Sequence, residues 1–182
     1  RPTAPVPAKP AKKREETTSQ PALDFKNLPR DFDFSGKLRV EERLGEPGAF
    51  GVVYRMYDSL ADMNRAVKLI ISGRQSLIER LKIEYQTLLK LQDHPHEHVV
   101  RVIEAQPQQG KMPPHIVFEY VEGMDVGEMY GSNALTPKEV WEMSTQVAEG
   151  LVHLHKHGIY HCDIKPRNLL WTDRGVKIID FN

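Results

Sequence analysis

The chain predicts an α+β fold, on three observations. β-rich runs separated by turns fill the stretch from Lys37 to Val121. One amphipathic helical stripe interrupts them between Ser76 and Leu91. A long helix, with a start signature at Thr136 and a stop at Gly158, then leads into a polar loop and a tight hairpin. Strands first and helices later is the order of an α+β domain, not of alternating βα units.

Composition narrows the class before any element is placed. At 182 residues the chain is long enough for one domain with its own core. Lys plus Arg and Asp plus Glu balance at 25 each, so no basic footprint points to nucleic acid or to an anionic membrane. No apolar run reaches membrane-spanning length, and the N-terminus lacks the apolar core of a signal peptide. The single cysteine, Cys162, excludes an internal disulfide and suits a reducing, cytoplasmic setting. Residues 1–36 read as a Pro/Ala/Lys-rich linker, with five of the 13 prolines falling by residue 21. As a tether to a preceding domain it would offer Thr17, Thr18 and Ser19 for phosphorylation; otherwise it is a spacer. Phe25, Leu28, Phe32 and Phe34 bring enough apolar surface to pack on the first strands.

The elements follow in order. Lys37 to Leu44 alternates as a strand, with Leu38 and Val40 on one face. It runs into Leu44-Gly45-Glu46-Pro47-Gly48-Ala49-Phe50-Gly51-Val52-Val53-Tyr54, where glycines allow backbone N–H groups to close on phosphates under an aromatic tip. A glycine turn between two strands is equally the mark of an ordinary hairpin. In the run Arg65 to Ile70, period-two alternation places Ala66, Lys68 and Ile70 on one face, so Lys68 is an ammonium on an apolar surface. It either meets a partner there or snorkels from an edge. The next helix bears on that choice. Leu77, Leu81, Leu88 and Leu91 form its stripe, and Glu84 sits within it. A carboxylate there needs a counter-ion or a place at the margin touching water. Val99 to Glu104 reads as a strand, Gln106 to Pro114 as a turn, and His115 to Val121 as the last strand of this half.

Met124 to Tyr130 predicts a short helix. Thr136-Pro137-Lys138-Glu139 predicts a helix start with Thr as cap, Pro in the first position and Glu closing a capping box. Val140, Val147, Leu151 and Leu154 mark its buried face. Two histidine sets stand out: His94, His96 and His98 across a proline, and His153, His155 and His157 on the helix. A spacing of two on a helix points side chains about 200° apart, so the second set cannot converge on a metal by itself. The chain then reads His161-Cys162-Asp163-Ile164-Lys165-Pro166-Arg167-Asn168. A hairpin follows, from Leu169 to Ile179 across Thr172-Asp173-Arg174-Gly175, and ends in Asp180-Phe181. Asn168 and Asp180 therefore fall at the two open ends of one hairpin and come together in space. Asp163 can accept a hydroxyl proton, Lys165 can neutralise a migrating phosphoryl group, and Asn168 and Asp180 can hold magnesium.

This constellation resembles the catalytic loop and metal motif of the eukaryotic-type Ser/Thr protein kinase family, usually His-Arg-Asp-Leu-Lys-Pro-x-Asn and then Asp-Phe-Gly. Here Cys162 stands for the Arg and Asn182 for the Gly, and Arg167 takes a place where the family often has Glu. Gly48-x-Phe50-Gly51-x-Val53-Tyr54 resembles the second half of the family's Gly-rich loop, while Pro47 and the three-residue step from Gly45 to Gly48 depart from the first half. The resemblance implies a bilobal fold: a five-stranded antiparallel small lobe with one main helix over residues 37–121, and an incomplete helical large lobe over 122–182. It implies ATP and Mg²⁺ as cofactors and a protein substrate. Gly45, Gly48, Gly51 and Lys68 would meet the phosphates, with Lys68 held by Glu84. Val53, Ala66 and Leu170 would sandwich the adenine, and backbone groups of Glu119 and Val121 would bond it with Phe118 behind. Asp163, Lys165 and Lys68 would serve catalysis, and Asn168 with Asp180 the metal. His161 and Phe181 would stack beneath Leu88 and Val102. Ser/Thr phosphorylation is the function implied; a nucleotide-binding regulatory module without transfer and a small-molecule phosphotransferase are the rivals. The resemblance covers a little over half of such a domain. A fragment of a longer, multidomain protein is therefore expected, weak in catalysis by itself and with apolar surface exposed along the long helix.

Overall fold

The computed structural model describes residues 23–48, 51–132 and 135–181. The leader to residue 22, the loop tip Ala49-Phe50 and Asn182 lie outside the described residues, and with them what was expected of Thr17, Thr18, Ser19, Phe50 and the Asn182 departure.

Five strands, β1 (Leu38–Leu44), β2 (Val52–Asp58), β3 (Met63–Leu69), β4 (Val102–Gln106) and β5 (His115–Glu119), form one antiparallel sheet in the order β1-β2-β3-β5-β4. Alternation drives it. In β2, Val52, Tyr54 and Met56 point to one face, and Val67 and Leu69 of β3 and Val117 of β5 join them in a buried cluster. That face is covered by the segment preceding β1. Phe34 and Leu28 are buried in the cluster, and Phe25 and Phe32 pack on its margin. The Tyr54 hydroxyl pins the segment, accepting from the Leu28 N–H at 2.9 Å and donating to the Phe25 carbonyl at 3.2 Å. As expected, Phe25, Leu28, Phe32 and Phe34 pack against the sheet, while the residues between them are exposed.

The other face takes α1 (Gln75–Leu89), whose buried residues Leu77, Leu81, Glu84 and Leu88 recur on one stripe. Ile116, Phe118 and Val102 meet this stripe in a second cluster, which continues into the lower half of the molecule.

Below the sheet, the two-residue β6 (Met124–Asp125) leads into α2 (Val126–Gly131), where a single helix was expected. Asp125 caps α2, accepting from the Gly127 N–H at 2.6 Å. The long helix α3 (Pro137–Lys156) starts at the anticipated capping box: Glu139 N–H donates to Thr136 Oγ1, and the Thr136 N–H donates to Glu139 Oε2. Its buried face differs in detail. Met143, Gly150 and Leu154 carry it, with Val147 and Leu151 half-buried, while Val140 is 47% exposed because the first turns of α3 extend past the hairpin they pack on. Trp141 and Val152 are exposed as well. Gly150 packs closely on the hairpin: a Cβ there would come within 2.8 Å of Ile178 Cδ1, the end of a side chain that would have to shift. The hairpin is β7 (Leu169–Thr172) and β8 (Gly175–Ile178), completing a three-stranded sheet β6-β7-β8.

The strand expected over Val99 to Glu104 is divided between the two sheets. The Ile178 N–H donates to the His98 carbonyl at 2.8 Å and the Val100 N–H to the Ile178 carbonyl at 3.0 Å, so this part of the run pairs with β8. Only from Val102 does the chain join the five-stranded sheet. A β-rich run reports extended backbone but not which neighbour satisfies its hydrogen bonds. Among the described residues, no helix is long and apolar enough to cross a membrane.

Candidate active site

Between the two sheets lies a cleft of about 1060 Å³. Its roof comes from the β1–β2 turn and β3. Gly45, Gly48, Gly51, Val53, Ala66 and Lys68 all line it. Gly51 cannot be replaced cheaply: a Cβ there would sit 2.0 Å from the Leu69 carbonyl oxygen, because the turn folds down onto β3. The Gly48 N–H donates to the Gly51 carbonyl at 2.9 Å and closes the turn. The back is Phe118 with Glu119 and Val121, and the floor includes Asn168, Leu170 and Asp180. Val53 and Ala66 above and Leu170 below leave an apolar slot between them.

At the inner end, Lys68 Nζ lies 3.1 and 2.9 Å from the two Glu84 oxygens and 2.6 Å from Asp180 Oδ1. The ammonium on an apolar face thus meets its partner from α1, and a second carboxylate from beyond the hairpin. Burial pushes the Glu84 carboxyl up to about 6, with the Lys68 charge only partly offsetting it. Burial also works against the Lys68 charge, but Glu84 and Asp180 together hold its pKa above the ordinary value. On these directions Glu84 and Lys68 form an ion pair at neutral pH. Asp180 sits at φ +65°, and Cys162 at φ +63°, left-handed conformations uncommon for residues other than glycine, asparagine and aspartate.

The acid and amide of the loop form a second cluster. Asn168 Nδ2 donates to the Asp163 carbonyl at 2.8 Å and to Asp163 Oδ2 at 3.1 Å, which leaves the Asn168 amide oxygen uncommitted by these bonds. Lys165 Nζ reaches Asp163 Oδ2 at 2.7 Å. The Lys165 hydrogen bond, aided by Asn168, holds the Asp163 carboxyl below its ordinary range. Asp163 and Lys165 lie outside the cleft lining, at its mouth, and connect to it through Asn168. The two clusters are tied by backbone, the Ile179 N–H donating to the Asn168 carbonyl at 3.0 Å. Behind them the His161 and Phe181 rings pack 4.5 Å apart, and Phe181, Leu88 and Val102 share one buried cluster. His161 Nε2 donates to the Ile179 carbonyl at 2.9 Å, fixing the ring.

Sequence reading missed a third group. Glu119 Oε1 accepts from Lys177 Nζ at 3.0 Å, and Glu119 Oε2 from Arg101 Nε at 3.0 Å. Burial alone would raise the Glu119 carboxyl, but Lys177 and Arg101 more than offset it and hold it below the usual range. The strand leaving the sheet is thereby tied by side chains to β8. Its N–H is donated to the Arg101 carbonyl at 3.0 Å, so its own carbonyl is the group left to meet a ligand. The alternation of Lys177 against Val176 and Ile178 could have flagged a lysine on the strand's other face, but nothing local names its partner. Asp125 and Glu128 also line the cleft, and Asp125 was findable as the cap of a short helix.

The two histidine sets, weighed separately in sequence, pack against one another, with His94 on His157 and His96 on His153. Among the described residues, no three His, Cys, Asp or Glu side chains are placed to hold a metal ion together.

Comparison with known proteins follows this geometry. The chain is 32% identical over 157 residues to the serine/threonine-protein kinase PksC of Streptomyces coelicolor, covering 80% of this chain and 28% of that protein. It is 32% identical over 152 residues to the serine/threonine-protein kinase PrkC of Bacillus subtilis, covering 81% and 22%. It is 31% identical over 150 residues to a CBL-interacting serine/threonine-protein kinase of Arabidopsis thaliana, covering 80% and 35%. The chain thus spans between 22% and 35% of the length of these relatives. The model of the protein kinase domain matches residues 38–182, from the first residue of β1 onward, and the chain belongs to that family.

Proposed function

We propose that the protein transfers the γ-phosphoryl group of ATP to serine and threonine hydroxyls of protein substrates. One observation carries this reading. Lys68, Glu84 and Asp180, drawn from up to 112 residues apart, converge at the inner end of a nucleotide-sized cleft, and Asp163, Lys165 and Asn168 converge at its mouth. The relatives compared above, all serine/threonine-protein kinases, support the choice of acceptor.

The residues suit the groups they would hold. The Asn168 amide oxygen and the Asp180 carboxylate are hard donors of the kind Mg²⁺ prefers, and few enough to leave places for phosphate oxygens and water. Gly51 packs too closely on Leu69 for any side chain, so the turn can bring backbone N–H groups down on phosphates. When bound, Mg·ATP supplies the phosphoryl group and the charge that offsets it. Lys68, steadied by Glu84, would pair with the phosphates that replace Asp180 at its ammonium. Val53, Ala66 and Leu170 would hold the adenine, with the Glu119 carbonyl and Val121 backbone as its edge partners.

Asp163 would receive the substrate hydroxyl through hydrogen bonding. A carboxylate held below its ordinary pKa is a weak base, so its main work is orientation, with the proton taken late in the transfer. Lys165, already 2.7 Å from Asp163, would meet the migrating phosphoryl oxygens. A protein rather than nucleic-acid partner, and a cytoplasmic site, complete the proposal, supported by the balanced charge and the lone cysteine.

The test is γ-phosphate transfer by the wild-type protein beside Asp163→Asn. Transfer in the wild type, with a loss of at least about 100-fold in the variant and nucleotide binding retained, is the expected result. Magnesium-dependent ATP binding without transfer in either protein would replace this reading with a nucleotide-binding regulatory module.

A further inference from the structure

Five imidazoles gather away from the cleft, where the loop following α1 meets the last turns of α3. His94 lies on His157 with ring centroids 4.9 Å apart, His96 on His153 at 4.7 Å, His153 on His157 at 4.6 Å, and His98 edges His96 at 5.5 Å. Two of these contacts, His94 on His157 and His96 on His153, cross from the loop to the helix, and the His153 ring also bonds the His94 carbonyl.

Three of the rings donate to backbone carbonyls. His153 Nε2 donates to the His94 carbonyl, His157 Nδ1 to the His153 carbonyl and His98 Nδ1 to the Val176 carbonyl, each at 2.9 Å. His96 is the exception in kind: its Nδ1 accepts from the His98 backbone N–H at 3.2 Å. A proton on that nitrogen would remove the acceptor and set two donors against each other. Burial and the neighbouring His153 and His98 further disfavour charge on His96.

The surrounding charges are mixed. Glu97 on the loop and Glu149 on α3 lie 4.0 and 3.6 Å from His98 Nε2. Lys177 of β8 bonds the Val99 carbonyl at 3.1 Å, and Lys156 lies in the last turn of α3; both oppose further positive charge. The C-terminal end of α3 favours cations, but it is one partial charge facing several rings. With the rings in mutual contact, protons beyond the first must sit against another charged ring.

We propose that these histidines form a proton-sensitive clasp between the loop after α1 and α3, closed while the rings are neutral and released when His96 and its partners become protonated. The loop continues from the end of α1, which carries Glu84, so the clasp would set how firmly α1 is held over the cleft. That last link to phosphoryl transfer rests on the proposed function; the clasp itself does not. Its sign is that of His96, whose charge is disfavoured on folding. The stability it lends is present above the ordinary histidine pKa near 6.5 and is lost as pH falls below it.

The test uses the whole chain in a Glu84→Gln background, because the Glu84 carboxyl titrates in the same window with the opposite sign. Amide hydrogen exchange of residues 94–100, corrected for intrinsic rates, is followed from pH 7.5 to 5.0. The expected result is a loss of protection that steepens to as much as about tenfold per pH unit for each proton taken up. That loss should vanish in His96→Gln/His153→Gln and persist in His155→Gln, whose ring faces Tyr160 instead. Should the double variant not fold, NMR titration of the wild-type imidazoles decides: His96 and His153 titrating below His155 supports the clasp. Equal titration of all of them, or protection lost equally in the double variant, overturns it.

Discussion

Replacing Glu84 with glutamine should make the protein more stable while disabling its site. The substitution keeps the shape and an acceptor for Lys68 and removes one buried charge. In the folded chain burial lifts the Glu84 carboxyl from 4.5 to about 6, although an ammonium lies 2.9 Å away. A carboxyl raised on folding favours the folded state in its neutral form. The stability that proton lends is complete below the ordinary value and lost as pH rises through about 6. The rise from 4.5 to about 6, at about 1.36 kcal/mol per unit, comes to about 2 kcal/mol at neutral pH. Glutamine stands in for a carboxyl that is always protonated and so recovers that amount. Removing one member of a buried pair normally strands the other, at about 3–5 kcal/mol. Here Asp180 remains 2.6 Å from Lys68, so the ammonium keeps a counter-ion. For a chain of this size, about 2 kcal/mol corresponds to a rise in Tm of about 4–8 °C at pH 7.5. Paired thermal unfolding from pH 7.5 to 5.0 is the assay. The gap should close on acidification as the wild type takes up its proton, and the histidine titrations, common to both proteins, cancel in the difference. Lys68, left to Asp180 alone, would be drawn off its phosphate-facing position, so the thermal shift produced by Mg·ATP should shrink. A Glu84→Gln protein that melts below wild type at pH 7.5, or a gap that widens toward pH 5, would refute the reasoning.

Two further changes probe the cleft from its roof and its back. Gly51→Ala puts a Cβ against the Leu69 carbonyl oxygen, at 2.0 Å before anything moves, so the turn must lift off β3. A loss of about 1–3 kcal/mol in thermal unfolding, with weakened nucleotide binding, is expected; wild-type values in both would mean that the close approach carries no cost. Lys177→Met removes the main group holding the Glu119 carboxyl down. A depressed carboxyl stabilises above its ordinary pKa and loses that contribution as pH falls, so the variant should begin acid unfolding at higher pH and lose about 1.5–3 kcal/mol at neutrality. An unchanged acid midpoint would count against the Glu119–Lys177 bond as a stabilising contact.

What could be read from the sequence was whatever local periodicity or chemistry forces. Glu84 was legible because a carboxylate within a leucine stripe must find a cation, and Lys68 was the ammonium displaced onto an apolar face. The start of α3 was legible because Thr136 and Glu139 satisfy one another within a single turn. The hairpin holding Asn168 and Asp180 together followed from two short apolar runs and a Gly175 turn. Partner choice over distance was not legible. Alternation marked residues 99–104 as extended, but whether Val100 bonds β8 or β5 depends on where the lower half sits. Phe25, Leu28, Phe32 and Phe34 were legible as apolar residues with a surface to bury, but which face receives Phe34 is set only once β2, β3 and β5 have paired. Spacing excluded the helical histidine set as a site by itself, and the meeting of the two sets is a property of how the loop lies on α3.

The segment from His98 to Val102 has a mechanical consequence. Within five positions it is bonded to β8 below and to β5 above, and the chain passes between the sheets a second time just after Glu119. The upper and lower bodies are therefore attached along a line and not at a point. A body held at two places on a line keeps one rotational freedom, as a door does on its frame. Opening the cleft along that freedom would have to part Lys68 from Asp180, 2.6 Å apart across it, whereas sliding or twisting of one body across the other would have to break the Val100 and Ile178 bonds. Motion at the mouth, where Asp163 waits, is in this way guided from the opposite edge.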